Sequence, residues 1–225
     1  MKLFGKKLKL AILDVDGTIL DLLKNFEVNL VQAASLMRLP LKPFHDHMRD
    51  LRNGKTSLHV DFEKGVSSFW PHLSGEEIKN FESLFREAEC SQPYPPIEGS
   101  IETLLRFKEL GMSVAVCTSN TESVMLKRFE AAGISPALFD AMSVAGNGCP
   151  MKPNKGCLNI IFKSTGYAAD QAFYVGDTEA DFQTAKNNGV DFFAVLSGGV
   201  GCKVFERLGV ESDRILNKLS DILTI

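Results

Sequence analysis

The segment Leu8-Lys9-Leu10-Ala11-Ile12-Leu13 runs directly into Asp14-Val15-Asp16-Gly17-Thr18. Five of the first six residues are apolar, which predicts a short buried strand that ends before the turn residue Gly17. Side chains alternate along an extended chain, so Asp14 and Asp16 project to the same side. Two carboxylates this close repel each other, and burial disfavours both charges. The pair therefore predicts a compensating cation, proton or substrate, although Asp is also common in ordinary turns.

The composition is that of an ordinary globular protein, since 44% of the 225 residues are hydrophobic and 24% are charged. This length allows one large domain, or one domain with a smaller companion. The net charge of -3 gives no basic surface for nucleic acid. No window is apolar for long enough to span a membrane. The five cysteines have no metal-ligand spacing, which predicts reduced thiols in a cytoplasmic protein.

The pattern of the chain changes twice along its length. Between Leu22 and Cys90 only helical patterns occur, and we predict helices from Leu22 onward and near 44–51, 57–70 and 74–88. The turn Ser91-Gln92-Pro93-Tyr94-Pro95-Pro96 closes this block, because its prolines forbid a regular helix.

After this turn, predicted helices and strands alternate. The predicted helices are 101–110, 124–132, 158–164 and 180–187, and the predicted strands are 112–117, 172–175 and 192–196. Alternation with short connections indicates a parallel sheet with helices on both faces. The strand at 8–13 belongs to this sheet. The predicted fold class is therefore α/β, with the helical block as an insertion after the first strand.

Polar residues follow three of the predicted strands, and ligands bind beyond the carboxyl ends of the strands in sheets of this kind. These residues are Asp14 and Asp16, then Thr118, Ser119 and Asn120, then Gly176 and Asp177, with Asp181 one turn into the next helix and Lys152 just before another helix. Each group has a simpler explanation by itself, as a helix cap, an acidic first helical turn or a solvated lysine. Their convergence on one edge of the sheet favours a functional site.

These residue types suit phosphoryl transfer through a covalent intermediate. One carboxylate attacks phosphorus to give an aspartyl-phosphate, and a second protonates the leaving oxygen and then activates water. Hydroxyl, amide and ammonium groups hold the other phosphate oxygens. Several aspartates at one point need a divalent cation, and an all-oxygen ligand set favours Mg2+ over Zn2+.

The order and content of these motifs resemble the haloacid dehalogenase-like hydrolases over the whole chain. The matching segments are Asp14-Val15-Asp16-Gly17-Thr18, Thr118 after a hydrophobic strand, Lys152-Pro153, and Gly176-Asp177 followed by Asp181. The resemblance implies that Asp14 is the nucleophile and Asp16 the general acid/base. The metal site that it implies consists of Asp14, the backbone carbonyl of Asp16, Asp177 and, in support, Asp181. The phosphate-binding residues that it implies are Thr118, Ser119 and Lys152.

The inserted helices resemble the small α-helical cap of the phosphoglycolate phosphatase and β-phosphoglucomutase branch, which would close over the site. The architecture implied is a Rossmann-like core of residues 1–20 and 94–225 with a cap of residues 21–93. Within the family, dehalogenases lack the second aspartate because a halide leaves without an acid, so Asp16 favours phosphate esters. One departure is Lys155, which stands where the family pattern has a second proline.

Substrate selection would lie in the cap. Segment 49–55 resembles the loop that related caps point into the active site, so Arg52 or Lys55 would meet a distal carboxylate or phosphate. A polar turn between two helices explains the same residues. His45 and His47 are predicted at the surface. The aromatic residues predicted to form the core of the cap are Phe62, Phe69, Trp70, Phe81 and Phe85.

Three functions stay open at this point. The first is a magnesium-dependent phosphatase for a small phosphomonoester, similar to phosphoglycolate phosphatase. The second is a phosphomutase similar to β-phosphoglucomutase, and the third is a phospho-ligand-binding protein without turnover. The expected partner is a small phosphorylated metabolite, with neither nucleic acid nor a membrane, and the expected state is a monomer or homodimer.

Overall fold

We describe the chain from a computed structural model. The described residues are 2–3, 6–53, 55–56, 62–146, 148 and 150–225, and at positions 2, 3, 6, 7 and 52 the description is limited to the backbone.

A six-stranded parallel sheet forms the centre of the fold. Two short segments, β1 (Lys2–Leu3) and β2 (Lys6–Lys7), pair antiparallel ahead of it. The sheet consists of β3 (Leu10–Leu13), β4 (Ser113–Thr121), β5 (Ala141–Ala145), β6 (Ala172–Gly176), β7 (Asp191–Val195) and β8 (Ile215–Leu216). Its strand order is β5-β4-β3-β6-β7-β8. The predicted α/β class with a parallel sheet is confirmed.

Helices connect these strands and also form the insertion. The inserted helices are α1 (Leu22–Leu36), α2 (Lys42–Arg52), α3 (Phe62–Phe69) and α4 (Gly75–Ser91). Those that follow are α5 (Ser100–Glu109), α6 (Glu122–Ala131), α7 (Asn159–Thr165), α8 (Glu179–Asn187) and α9 (Cys202–Arg207). Among the described helices, none is both long and apolar enough to cross a membrane.

The sheet is buried on both faces, which explains the unbroken apolar run of its central strand. Leu10 and Ile12 belong to the hydrophobic cluster on one face, while Ala11 and Leu13 belong to the cluster on the other. All four side chains are inaccessible to solvent. Such a strand cannot slip by one residue without mismatching both faces, so the position of Asp14 at its end is well defined.

The sequence prediction missed two strands of the main sheet and misplaced some boundaries. These two strands, β5 and β8, are its outer strands. Strand β5 is apolar at four of its five positions but lacks a flanking pattern that separates it from a buried helix segment, and β8 has only two residues. The helix predicted at 57–70 is described from Phe62, because residues 57–61 lie outside the described part of the chain.

The inserted helices pack on one another around aromatic side chains. Helix α1 packs against α4, whose start is fixed by a capping box between Ser74 and Glu77. The ring centroids of Trp70 and Phe81 are 5.2 Å apart, and those of Phe62 and Phe85 are 4.9 Å apart. The predicted aromatic core is therefore present, and the division of the chain into two domains stays a prediction.

Candidate active site

The carboxyl ends of three neighbouring strands bring the predicted residues together. Leu13 of β3 is level with Val116 of β4 and with Val175 of β6, so the segments that follow these residues meet at one edge. The strand that follows β3 along the chain, β4, lies on one side of the β3–β6 pair, and the strand that follows β6, β7, lies on the other side. A crevice opens where such connections diverge, and Asp14 and Asp177 lie at that place. The expectation of one shared edge is confirmed.

Three buried carboxylates form a cluster at this edge. One oxygen each of Asp14, Asp177 and Asp181 lies within 4.8 Å of the other two, and the residues are 5%, 2% and 0% exposed. Oδ1 of Asp177 is buried and has no hydrogen-bond partner among the described residues. An orphaned carboxylate oxygen beside two others fits a hard divalent cation, which takes oxygen ligands.

Lys152 compensates part of this negative charge. Its ammonium donates hydrogen bonds to Oδ1 of Asp14 (2.6 Å) and to Oδ1 of Asp181 (2.7 Å), and its side chain is 5% exposed. Burial lowers the pKa of Lys152, but the two carboxylates outweigh burial and hold that pKa well above its usual range. Lys152 is therefore charged, and it neutralises the cluster only in part.

The excess negative charge that Lys152 leaves affects the pKa values of Asp14 and Asp177. Burial raises the pKa of Asp14 to about 7, although the Lys152 ammonium opposes this increase. Burial, together with the charges of Asp14 and Asp181, also raises the pKa of Asp177 well above its usual range. A second cation would stabilise both carboxylates in their charged form. The residues present therefore fit a metal ion that supplies this charge.

Asp181 is held mainly by its own helix. Its Oδ2 accepts hydrogen bonds from the backbone nitrogen (3.0 Å) and hydroxyl (2.5 Å) of Thr178, which closes the capping box of α8. Its Oδ1 accepts from the Tyr174 hydroxyl at 2.8 Å as well as from Lys152. Both carboxylate oxygens are thus satisfied. The acidic first helical turn considered from the sequence is real, and it also anchors Lys152.

Two glycines allow the backbone to approach Asp177 closely. A Cβ at Gly17, which has a φ of 80°, would lie 2.4 Å from Oδ2 of Asp177, and a Cβ at Gly198 would lie 1.7 Å from the same oxygen. Neither distance is possible for a real side chain. The Asp-Val-Asp-Gly motif therefore requires glycine at position 17 for space as well as for its turn.

Asp16 has surroundings quite different from those of Asp14. Its Oδ2 accepts hydrogen bonds from the Asn120 amide (2.6 Å) and from the Arg128 guanidinium. Its Oδ1 is buried without a partner in the described residues. The side chain stands outside the carboxylate cluster, and the use of its backbone carbonyl as a metal ligand stays a prediction.

Thr118, Ser119 and Lys152 line one cavity together with Asp14, as a phosphate site would require. Thr118 is nearly buried, and its hydroxyl accepts a hydrogen bond from the Asn120 backbone at 3.1 Å. The alternative that this segment caps the next helix is wrong, because the N-cap of α6 is Thr121.

The cavity has a volume of about 510 Å³ and extends from the sheet edge to the inserted helices. Its wall on the side of the inserted helices is mainly apolar and includes Leu23, Phe26, Leu30, Phe44, Phe62 and Phe69. His47 is half-buried and also lines this cavity, while His45 is exposed as expected. Lys55 is exposed and is not among the described lining residues. Arg52 ends α2, and its side chain lies outside the described part of the structure.

Sequence reasoning gave no role to several residues that shape this site. Asn120 stood in a recognised polar segment, so its position was predictable although its contact with Asp16 was not. Arg128 lies 112 positions from Asp16, and no periodic pattern connects them. Tyr174 reads as an ordinary apolar strand residue, and only the structure shows its hydroxyl bonded to Asp181.

Fold and site together define an α/β protein with an acidic cluster at one edge of its sheet, in a cavity that the inserted helices also line. The model of the family described as "Haloacid dehalogenase-like hydrolase" matches residues 11–195. The chain belongs to this family. The resemblance predicted from the four motifs is thereby confirmed.

Individual relatives agree with this assignment. A phosphoglycolate phosphatase of Vibrio cholerae is 28% identical over 201 residues, which are 86% of this chain and 86% of the relative. One of Mesorhizobium japonicum is 34% identical over 108 residues, which are 48% of this chain and 46% of the relative. The crystal structure of a predicted phosphoglycolate phosphatase from Haemophilus somnus superposes with a TM-score of 0.78 at 19% identity, covering 97% and 98% of the two chains. This last similarity concerns the fold alone.

Proposed function

We propose that the chain is a magnesium-dependent phosphoric monoester hydrolase that acts through an aspartyl-phosphate at Asp14. The observation that carries this proposal is the buried cluster of three carboxylates and Lys152. Asp16, the second aspartate of the first motif, lines the same cavity. The phosphoglycolate phosphatases among its relatives support the proposal.

The proposed reaction has two steps, and each conserves atoms and charge. A carboxylate oxygen of Asp14 attacks phosphorus while the bond from phosphorus to the ester oxygen breaks, and Asp16 gives a proton to that oxygen. Water then attacks the phosphorus of the aspartyl-phosphate, the bond from phosphorus to the Asp14 oxygen breaks, and the Asp16 carboxylate takes a proton from this water, which releases inorganic phosphate and restores the Asp14 carboxylate. Thr118, Ser119 and Lys152 hold the phosphate oxygens during both steps. The helices at 21–93 would act as a cap that excludes bulk water.

The proposed metal ligands are Asp14, Asp177 and the backbone carbonyl of Asp16, while Asp181 supports the site through Lys152. Mg2+, when bound, supplies positive charge opposite the phosphate and the carboxylates. Oxygen-only ligands suit Mg2+. Oδ1 of Asp177 is the buried oxygen of this cluster that lacks a described hydrogen-bond partner, and a bound Mg2+ would compensate its charge.

Asp177→Asn is expected to abolish the stabilisation of the fold by Mg2+. Wild-type protein should unfold at a higher temperature in MgCl2 than in EDTA, by ~2.7 kcal/mol of unfolding free energy at a hundredfold excess over Kd. In EDTA the variant should be at least as stable as wild type, because it removes one of three clustered buried charges. Thermal unfolding with and without MgCl2 measures both effects. The exposed Asp170→Asn is the matched control, and an unchanged Mg2+ response in Asp177→Asn would contradict the metal assignment.

The cavity wall favours an ester with an apolar leaving group. The two arginines among the described lining residues are already paired, since Arg86 on α4 contacts Glu82 and Glu89, and Arg128 on α6 contacts Asp16 and Glu89. A short anion such as glycolate would compete with these carboxylates. Most of the wall formed by the inserted helices is apolar carbon, which suits sugar hydroxyls less well than an alkyl group and disfavours the phosphomutase alternative.

We expect kcat/KM for hexyl phosphate to exceed that for 2-phosphoglycolate by at least ~10-fold, since each buried methylene contributes ~0.8 kcal/mol. Released phosphate is measured for both esters and for β-glucose 1-phosphate. A preference for 2-phosphoglycolate that is lost in Arg52→Ala/Lys55→Ala would instead assign the distal anion to those residues. Isomerisation of the sugar phosphate without phosphate release would identify a mutase. Mg2+ binding without any turnover would indicate a phospho-ligand-binding protein.

A further inference from the structure

Arg128 connects the second carboxylate of the active site to the inserted helices. It lies on α6, and one guanidinium nitrogen, Nη1, donates to Oδ2 of Asp16. The other nitrogen, Nη2, donates to Oε1 of Glu89 at 2.5 Å, near the end of α4. The guanidinium also lies 4.8 Å from the ring centroid of Tyr94. The planar fork of an arginine can bridge two carboxylates in this way, whereas the single ammonium of a lysine cannot do so with the same geometry.

These contacts are largely shielded from water. The side chains of Arg128 and Glu89 are each 12% exposed, and that of Asp16 is 20% exposed. Charged hydrogen bonds in such an environment are stronger than on an open surface and fix the orientation of both partners. The position of the Asp16 carboxylate is therefore determined by more than its own backbone.

The two oxygens of Asp16 are consequently not equivalent. Oδ2 accepts from both Arg128 and Asn120, whereas Oδ1 is buried and no described residue bonds to it. Asp16 lines the cavity in which the ester must bind. The two donors therefore hold the carboxylate by one oxygen at the wall of this cavity.

We propose that Arg128 is a positioning residue, which with Asn120 fixes the orientation in which the Asp16 carboxylate exchanges a proton with the leaving oxygen. Glu89 holds the outer side of the guanidinium, so this orientation depends on the docking of α4. The inference rests on the proposed function, because it assigns a geometry to the general acid of that reaction.

The dependence of rate on the leaving group tests this role. Hexyl phosphate releases an alkoxide that needs a proton, whereas p-nitrophenyl phosphate releases a stable anion that does not. The comparison uses kcat/KM, which reports the first step, because Asp16 also acts in the second step that both esters share. Arg128→Lys should lower kcat/KM for hexyl phosphate by ~10²-fold and kcat/KM for p-nitrophenyl phosphate by less than ~3-fold. Asp16→Asn provides the reference for complete loss of the acid and should show the same selectivity, with a loss of 10²–10⁴-fold on the order of general acid catalysis.

Two further variants separate positioning from folding. Arg106→Lys is the matched control, because the exposed Arg106 has Glu109 as its described partner and bonds to neither Asp16 nor Glu89, so the ratio of the two rates should stay at the wild-type value. Asn120→Ala removes the second donor to Oδ2 and should show a smaller loss of the same selectivity, even if Arg128→Lys fails to fold.

The outcomes distinguish this inference from the proposed function. Equal losses for both esters in folded Arg128→Lys and Asn120→Ala, or no loss in either, would overturn the role of Arg128. If wild-type protein hydrolyses neither ester, the proposed function itself fails.

Discussion

Asp14→Asn is expected to lower phosphate release by ~10⁴-fold or more, because it removes the only oxygen nucleophile that the proposed mechanism uses on phosphorus. The substitution keeps the size of the side chain and takes one negative charge from a buried cluster of three carboxylates. Lys152 keeps its bond to Asp181 in this variant, and the cluster contains more carboxylates than cations, so we expect the thermal stability in EDTA to be maintained. Initial rates with hexyl phosphate and p-nitrophenyl phosphate measure the loss.

The covalent step can be followed independently of turnover. Acid quench of wild-type protein during turnover, followed by mass spectrometry, should give a phosphate adduct on the peptide that contains Asp14. The exposed Asp170→Asn should retain both rate and adduct. Turnover that persists in Asp14→Asn, or an adduct on a different peptide, would exclude the aspartyl-phosphate assigned to Asp14.

Lys152→Met is expected to have the second largest effect, on stability as well as on rate. The ammonium bonds to both Asp14 and Asp181, and its removal leaves buried carboxylates without their partner. Losing one member of a buried ion pair costs ~3–5 kcal/mol of unfolding free energy. The loss of a phosphate-binding charge should lower kcat/KM by ~10²–10³-fold. Thermal unfolding and initial rates measure the two consequences.

The response to Mg2+ makes this prediction specific. Because the variant has a larger excess of negative charge, the increase in unfolding temperature between EDTA and MgCl2 should be greater than in wild type. Lys155→Met is the matched control, since Lys155 is exposed and only three positions away. An equal Mg2+ response in Lys152→Met and wild type would show that Lys152 and the metal ion do not compensate the same carboxylates.

The location of the site could be predicted from the sequence because parallel strands direct their carboxyl ends to one edge. Asp14, Thr118 and Asp177 each follow an apolar strand, and those three strands turned out to be neighbours. The α/β class rests on the same alternation of helix and strand. The outer strands β5 and β8 were missed, and no predicted site residue directly follows either of them.

The contacts around Asp16 could not be predicted, for a different reason. A periodic pattern identifies which face of a helix is buried, but it does not identify the partner across an interface. Arg128 and Glu89 are 39 positions apart, on α6 and α4. In the sequence, each is an ordinary charged residue of its helix. Their significance arises only when both approach Asp16 in three dimensions.

The separation between the proposed metal ligands and the inserted helices also has an evolutionary consequence. Asp14, Asp177 and Asp181 follow strands of the sheet or begin the helix after one, while the apolar wall of the cavity comes largely from 22–91. Substitutions in that insertion can therefore change which ester is accepted without rebuilding the carboxylate cluster. Glu89 is an exception within the insertion. Its replacement would remove a partner of Arg128 and so alter the contact between Arg128 and Asp16.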